Sequence, residues 1–258
     1  MGRVRCERGA ESPQFGFLYF LFYLLMQDVQ SSPDSRCIDI RKVGVKNISY
    51  PITLQDKAKQ SQQTVASVNM YVHLPRHFKG THMSRFIEIL NCFHHKFDLL
   101  ALHNILEEMR KRLEAEAAHL EISFPYFFAA SLGNSECISR RYDCSMCGSL
   151  KEQLDLVVEV EVPVQLNTNA RKNGVQAVSG LWGKVLVAVR LNHFVWLEDL
   201  IQHIERGSAS GGSGGDSPEA MCKRIGQILS SLAAFSWFRV KVEHVERGFS
   251  SYAAIEGP

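Results

Sequence analysis

The sequence predicts an α+β protein built from two tandem strand–strand–helix–helix–strand–strand (ββααββ) modules with antiparallel sheets. Three observations carry that expectation. Leu156, Val158, Val160 and Val162 alternate with Val157, Glu159 and Glu161, as in a strand with one wet face. Other segments carry apolar residues at three-four spacing, the period of a helix with one buried side. The order of these stretches, two strands, two helices, two strands, occurs twice along the chain. Residues 1–36 read as an N-terminal extension and arm, 37–150 as the first module and 151–258 as the second.

In the first module, Ile38 to Tyr50 and Thr64 to Leu74 read as strands, with Val65, Val68, Met70 and Val72 in an imperfect period of two. A helix is expected from His82 to His95, on Phe86, Ile89, Leu90 and Phe93. A second follows Asp98, whose carboxylate suits an N-cap, with Leu102, Ile105, Leu106, Met109 and Leu113 as its inner stripe. Glu107–Lys111 and Glu108–Arg112 are acid-before-base pairs on its outer face. Strands are expected at His119–Ala129 and Ser139–Leu150.

The second module opens with the alternating strand at 156–162 and continues with a strand at Lys184–Leu191. A helix follows at Trp196–Glu205. The run GSASGGSGG at 207–215 reads as a flexible segment. The last helix starts from Asp216 as N-cap with Pro218 in its first turn, and Ala220, Ile225, Ile228, Leu229 and Leu232 form its inner stripe. Strands at Trp237–Glu246 and Phe249–Ile255 complete the pattern.

Composition narrows the function. The chain has 258 residues, 45% hydrophobic and 22% charged, ordinary for a globular protein with a full core. The net charge is +2 and the basic residues are dispersed, so no long-range field draws it to nucleic acid or to a membrane surface. Cys6, Cys37, Cys92, Cys137, Cys144, Cys147 and Cys222 are odd in number and irregular in spacing. They read as reduced thiols of a cytoplasmic protein. Phe15 to Met26 is an apolar run behind Arg3, Arg5 and Arg8, shorter than the roughly 20 residues a spanning helix needs. Three readings stand for it: an extension ahead of a natural start at Met26, a signal or anchor segment, or a buried segment.

Two stretches are unusually specific: VNMYVHLPRHFKGTHMSRFIEILN at 68–91 and FVWLEDLIQHIE at 194–205. With QDVQSSPDSR at 27–36, KVGVKNISYPIT at 42–53 and FPYF at 124–127, the chain resembles the type IB GTP cyclohydrolases from Met26 onward. The resemblance implies a tunnelling fold with two ββααββ modules per chain. It also implies association into a homo-oligomer, usually a tetramer, with active sites between subunits. The implied reaction opens the imidazole ring of GTP, releases formate and yields dihydroneopterin triphosphate, the first step of folate-type pterin synthesis. A divalent metal such as zinc or manganese activates the attacking water in that family.

The motif KGTHMSR suits the binding of a nucleotide. It ends in a helix N-terminus, where free amides attract anions, and Lys79 and Arg85 bring positive charge to phosphate. By resemblance, Lys79, Thr81, His82, Ser84, Arg85 and Glu243 are the substrate-binding candidates, and Glu246 of the EHVE stretch is the catalytic one. His82 and Arg85 equally suit polar contacts between subunits.

The metal motifs of the family have no counterpart. Thr168 stands where the family carries the metal Cys of a CPC motif, and a neutral hydroxyl is a poor zinc ligand. Ala177-Val178-Ser179-Gly180-Leu181-Trp182 stands for GAHNQR and lacks its His. The RPDE glutamate is replaced by the Gly-Ser segment, Cys222 stands for the glutamate expected to anchor the purine, and the closing HNH is absent. The expectation is therefore no retained metal and no metal-dependent turnover by this chain alone. The alternative is a non-catalytic paralogue that binds nucleotide or assembles with an active subunit. Cys144 and Cys147 form a lone CxxC, but residues i and i+3 of a strand face opposite sides, so strand packing is the expected role. His94, His95 and His103 are read as surface or packing residues.

Overall fold

A computed structural model describes residues 40–57, 60–74, 82–93, 97–132, 136–166, 181–209, 217–245 and 248–258. Eight strands form one antiparallel sheet in sequence order. They are β1 (Ile40–Gln55), β2 (Ser61–Leu74), β3 (Ala117–Leu132), β4 (Glu136–Leu150), β5 (Leu154–Leu166), β6 (Leu181–Leu191), β7 (Phe235–Val245) and β8 (Ser250–Gly257). Helices α1 (Met83–Asn91) and α2 (Leu99–Arg112) lie between β2 and β3, and α3 (Leu197–Ser208) and α4 (Pro218–Ser230) between β6 and β7. The expected ββααββ order is present twice.

The four helices of the described residues cover one face of the sheet. α2 rests on β3 and β4, α1 on β1, α3 on β5, and α4 on β7 and β8. The alternation read at 156–162 is real: Val158, Val160 and Val162 are buried under the helices, while Glu159 and Glu161 point to the other face. The inner stripe of α2 is buried as expected from Leu102 to Leu113. Each such side chain contributes about 1.5–3 kcal/mol on leaving water. Asp98 caps α2, its Oδ1 accepting from the Ala101 N–H at 2.6 Å.

Several boundaries move. β1 runs on through Pro51 to Gln55; a proline is tolerated because β1 is an edge strand. Its pairing with β2 shifts register between Val45 and Ile48. There Asn47 has φ 57° and its N–H donates to Asn69 Oδ1 at 2.8 Å, a bulge of the kind that blunts an edge. α1 stops at Asn91, and His94–His95 lie outside the described residues. α4 is capped by Ser217, whose Oγ accepts from the Ala220 N–H; Asp216, expected in that role, lies outside the described residues. The inner face of α4 is Met221, Cys222, Ile225 and Leu229, while Ala220 is exposed. The Gly-Ser run begins inside a helix: Gly207 belongs to α3 and is buried. A Cβ there would sit 2.6 Å from Ile225 Cγ1, so this glycine lets α3 and α4 approach. Residues 210–216 are outside the described residues.

Candidate functional site

Three of the substrate-binding candidates, His82, Ser84 and Arg85, lie at the start of α1. His82 occupies the N-cap position with φ −70° and ψ 121°, and its side chain makes no capping bond. Ser84 is exposed and Arg85 half-buried in the first turn. Lys79 and Thr81, and the catalytic candidate Glu246, lie outside the described residues.

Glu243 lies on β7, on the sheet face away from the helices. It is opposite Lys184 of β6, whose Nζ is 3.7 Å from one carboxylate oxygen, and it also pairs with Lys241. Lys241 first, and Lys184 with it, hold its carboxyl below the usual carboxylate range. Lys184 also reaches Glu161 at 3.1 Å. The residue therefore belongs to a ladder of ion pairs. β2, which leads into α1, and β7 are five strands apart in the sheet, roughly 24 Å at about 4.8 Å per strand. Within one chain the fold does not bring His82, Ser84 and Arg85 to Glu243.

The same polar face carries a second group, which the sequence reading missed. Glu121 accepts from the Tyr71 hydroxyl and from Asn69 Nδ2. These bonds, Tyr71 first, lower its pKa. His119 stacks on Tyr71 at 4.9 Å, and Lys42 Nζ sits 3.6 Å from the Tyr71 ring centre. Cys147 lies on this face and Cys144 on the helix face, as strand geometry requires. Both are free thiols. Burial pushes Cys147 up to about 11 and Cys144 up to about 12, so neither is a ready nucleophile or thiolate ligand. His103 pairs along α2 with Glu107 at 3.3 Å.

The helix face holds a cavity of about 710 Å³. It opens between the start of α2, at Phe97 and Asp98, and the start of α3, at Phe194 to Glu198. Glu198 is only 4% exposed. Its Oε1 accepts from the Tyr126 hydroxyl at 2.7 Å and from the Lys57 N–H at 2.8 Å. Two turns on, Glu205 Oε1 accepts from the Tyr142 hydroxyl at 2.7 Å and from Arg140 Nη1 at 3.0 Å. Tyr126 and Tyr142 are partners across β3 and β4. Two carboxylates of a second-module helix thus clamp two tyrosines of the first-module sheet. The seven-residue spacing of Glu198 and Glu205 was a signal for one shared helix face. Their burial was not, because acids in a first turn, such as Glu198, are also explained by the helix dipole.

Among the described residues no group of three or more His, Cys, Asp and Glu side chains is placed to hold a metal ion. Residues 165–183, which include Thr168, contain none of these four residue types. Among the described residues, no helix is long and apolar enough to cross a membrane.

Comparison with known proteins agrees with the architecture and extends it. A family model described as GCHY-1, type I GTP cyclohydrolase folE2, matches residues 26–211. The chain is 41% identical over 252 residues to a GTP cyclohydrolase FolE2 of Geobacter metallireducens, covering 90% of this chain and 97% of that one. It is 43% identical over 254 residues to one of Syntrophobacter fumaroxidans, covering 90% and 99%. Among solved structures, a uricase from Arthrobacter globiformis superposes with a TM-score of 0.58 at 8% identity, covering 90% of this chain and 94% of that one. A Bacillus urate oxidase mutant gives 0.59 at 7% identity, covering 84% and 99%. At such identity the likeness is one of fold: the tunnelling-type α+β fold that the family resemblance implied.

Proposed function

The chain belongs to the type I GTP cyclohydrolase FolE2 family, and from that premise we propose that GTP is its ligand and the opening of GTP to dihydroneopterin triphosphate and formate the reaction it serves. The carrying observation is identity above 40% along nearly the full length of relatives named GTP cyclohydrolase FolE2. Assignment to the type IB group rests on the KGTHMSR and FVWLEDLIQHIE motifs.

A second reading, binding without turnover by this chain alone, is favoured by one specific observation. Thr168 and the stretch 177–182 stand where the resemblance places a metal Cys and a metal His. The protein's own residues contribute binding: the start of α1, with Arg85, His82 and Ser84, faces the triphosphate, and Lys79 and Thr81 precede it in the same motif. Glu243, and Glu246 near it in sequence, serve the base end.

This division of labour calls for more than one copy. β1 and β8 are the outer strands of the sheet among the described residues, and apart from the bulge at Asn47 such an edge can take a further strand. Joining β8 of one copy to β1 of another would leave three strand spacings between Glu243 and the next copy's β2, roughly 15 Å, a span a nucleotide triphosphate can bridge. The proposed assembly is a homo-oligomer, a tetramer by resemblance. Free thiols at Cys144, Cys147 and Cys222 support action in the cytoplasm.

The deciding experiment incubates the purified chain with GTP and added zinc or manganese, following formate and dihydroneopterin triphosphate, with calorimetry of GTP binding alongside. Chelator-sensitive turnover establishes the cyclohydrolase reading. Saturable GTP binding without product establishes the second. Absence of both refutes the assignment of GTP.

A further inference from the structure

The cavity between the starts of α2 and α3 has no part in the GTP reading. No Lys, Arg or His is among the described residues that line it. Its charged lining is Asp98 and Glu198, and Asp98 is occupied in capping α2. The nearby ammonium of Lys57 is held by Asp199 at 2.6 Å. Among the described residues the lining is acidic, which disfavours phosphate and carboxylate there.

What the cavity does offer is specific. Its walls include Phe97, Met146, Phe194 and Trp196, with Phe194 and Trp196 packed edge to face at 4.7 Å. Its volume of about 710 Å³ lies within the ~300–1,000 Å³ usual for small-molecule sites. Glu198 lines it almost fully buried. Both bonds that Glu198 accepts go to Oε1. Glu198 thus presents a desolvated carboxylate at the cavity wall, and a ligand that brings an N–H donor gains a charge-assisted hydrogen bond there.

We propose that this cavity is a second ligand site, distinct from that for GTP, which takes an aromatic or heteroaromatic molecule carrying a neutral or cationic N–H donor and no anionic group. The ring lies among Phe97, Met146, Phe194 and Trp196, and the donor bonds the Glu198 carboxylate. Tyr126 and the Lys57 N–H fix the carboxylate in advance, so little ordering remains for binding.

The test uses calorimetry on the full chain with tryptamine as probe and indole-3-propionate as its anionic counterpart of like size. Tryptamine is expected to bind saturably, one per chain, and indole-3-propionate not to bind. Glu198→Gln keeps an acceptor for Tyr126 and Lys57 but turns a donor towards the ligand; tryptamine affinity should fall by about tenfold or more. Phe194→Ala, at a side chain that is 52% exposed, leaves the fold intact and should weaken tryptamine several-fold. Absence of saturable tryptamine binding, equal binding of the two probes, or a Phe194→Ala protein with unchanged affinity would overturn the proposal. Each of these outcomes is independent of whether GTP binds.

Discussion

Replacing Tyr126 by Phe isolates one bond of the inter-module clamp. The ring is 1% exposed and keeps its packing; only the hydroxyl that donates to Glu198 at 2.7 Å is lost. The acceptor is a carboxylate that is itself 4% exposed, so water does not replace the donor. A hydrogen bond to a charged group contributes about 1.5–3 kcal/mol, and a buried acceptor left short sits at the upper part of that range. The expected loss is about 2 kcal/mol, or roughly 4–8 °C in Tm for a chain of this size. The control is Tyr142→Phe. There Glu205 is 26% exposed and keeps Arg140 at 3.0 Å, so the loss should be about 1 kcal/mol or less. Urea unfolding at fixed protein concentration measures both, with unchanged m-values as the sign that the native state is intact. A double-mutant cycle with Glu198→Ala should return a coupling of about 1.5–3 kcal/mol. If Tyr126→Phe lies within about 0.5 kcal/mol of wild type, or the cycle shows no coupling, the clamp does not hold the modules together as argued.

Three further outcomes are expected. Gly44→Ala would place a Cβ 1.9 Å from the Met70 carbonyl oxygen, so strand pairing must shift and circular dichroism should show a melting point lowered by several degrees, on the order of 2 kcal/mol or more. Cys144 and Cys147, with pKa values pushed up to about 12 and 11, should resist a thiol reagent in the native protein at pH 8 and react at an ordinary rate once it is unfolded. The carboxyl of Glu243 is held below its ordinary value of 4.5 by Lys241 and Lys184, so it contributes stability above about that pH that is lost as pH falls through the lower folded value. Glu243→Gln should therefore cost up to about 1 kcal/mol at pH 7 and nothing at pH 2, as read from urea midpoints at the two pH values.

Sequence reading of the site stopped where burial and distance begin. Glu243 was singled out beside Glu246 as a substrate residue, yet its lysine partners come from its own strand and from β6, a pairing that no local pattern states. Glu198 was quoted within the FVWLEDLIQHIE motif without a role. Its period marks a helix face, but only the closure of α3 onto Tyr126 and the Lys57 backbone removes it from water. The inner face of α4 was misplaced by one residue at Ala220 because Met221 and Cys222 are apolar too, and contact with β7 and β8 chose between the faces. Strand ends at β1 and β5 were set too short, since pairing with a neighbour extends a strand past the point where its own alternation fades.

What the sequence alone determined is the order of elements: side-chain period is a local property, two for strands and near four for helices, and local properties are written along the chain. The positions of Asp98 as a cap and of Cys144 and Cys147 on opposite faces followed for the same reason. Tertiary structure decided the rest. It buried Glu198 against Tyr126, hollowed a cavity between helices from different modules, and set His82 and Arg85 five strands from Glu243. Those relations join residues far apart in sequence, and their energies depend on desolvation and distance, which exist only once the chain has closed upon itself.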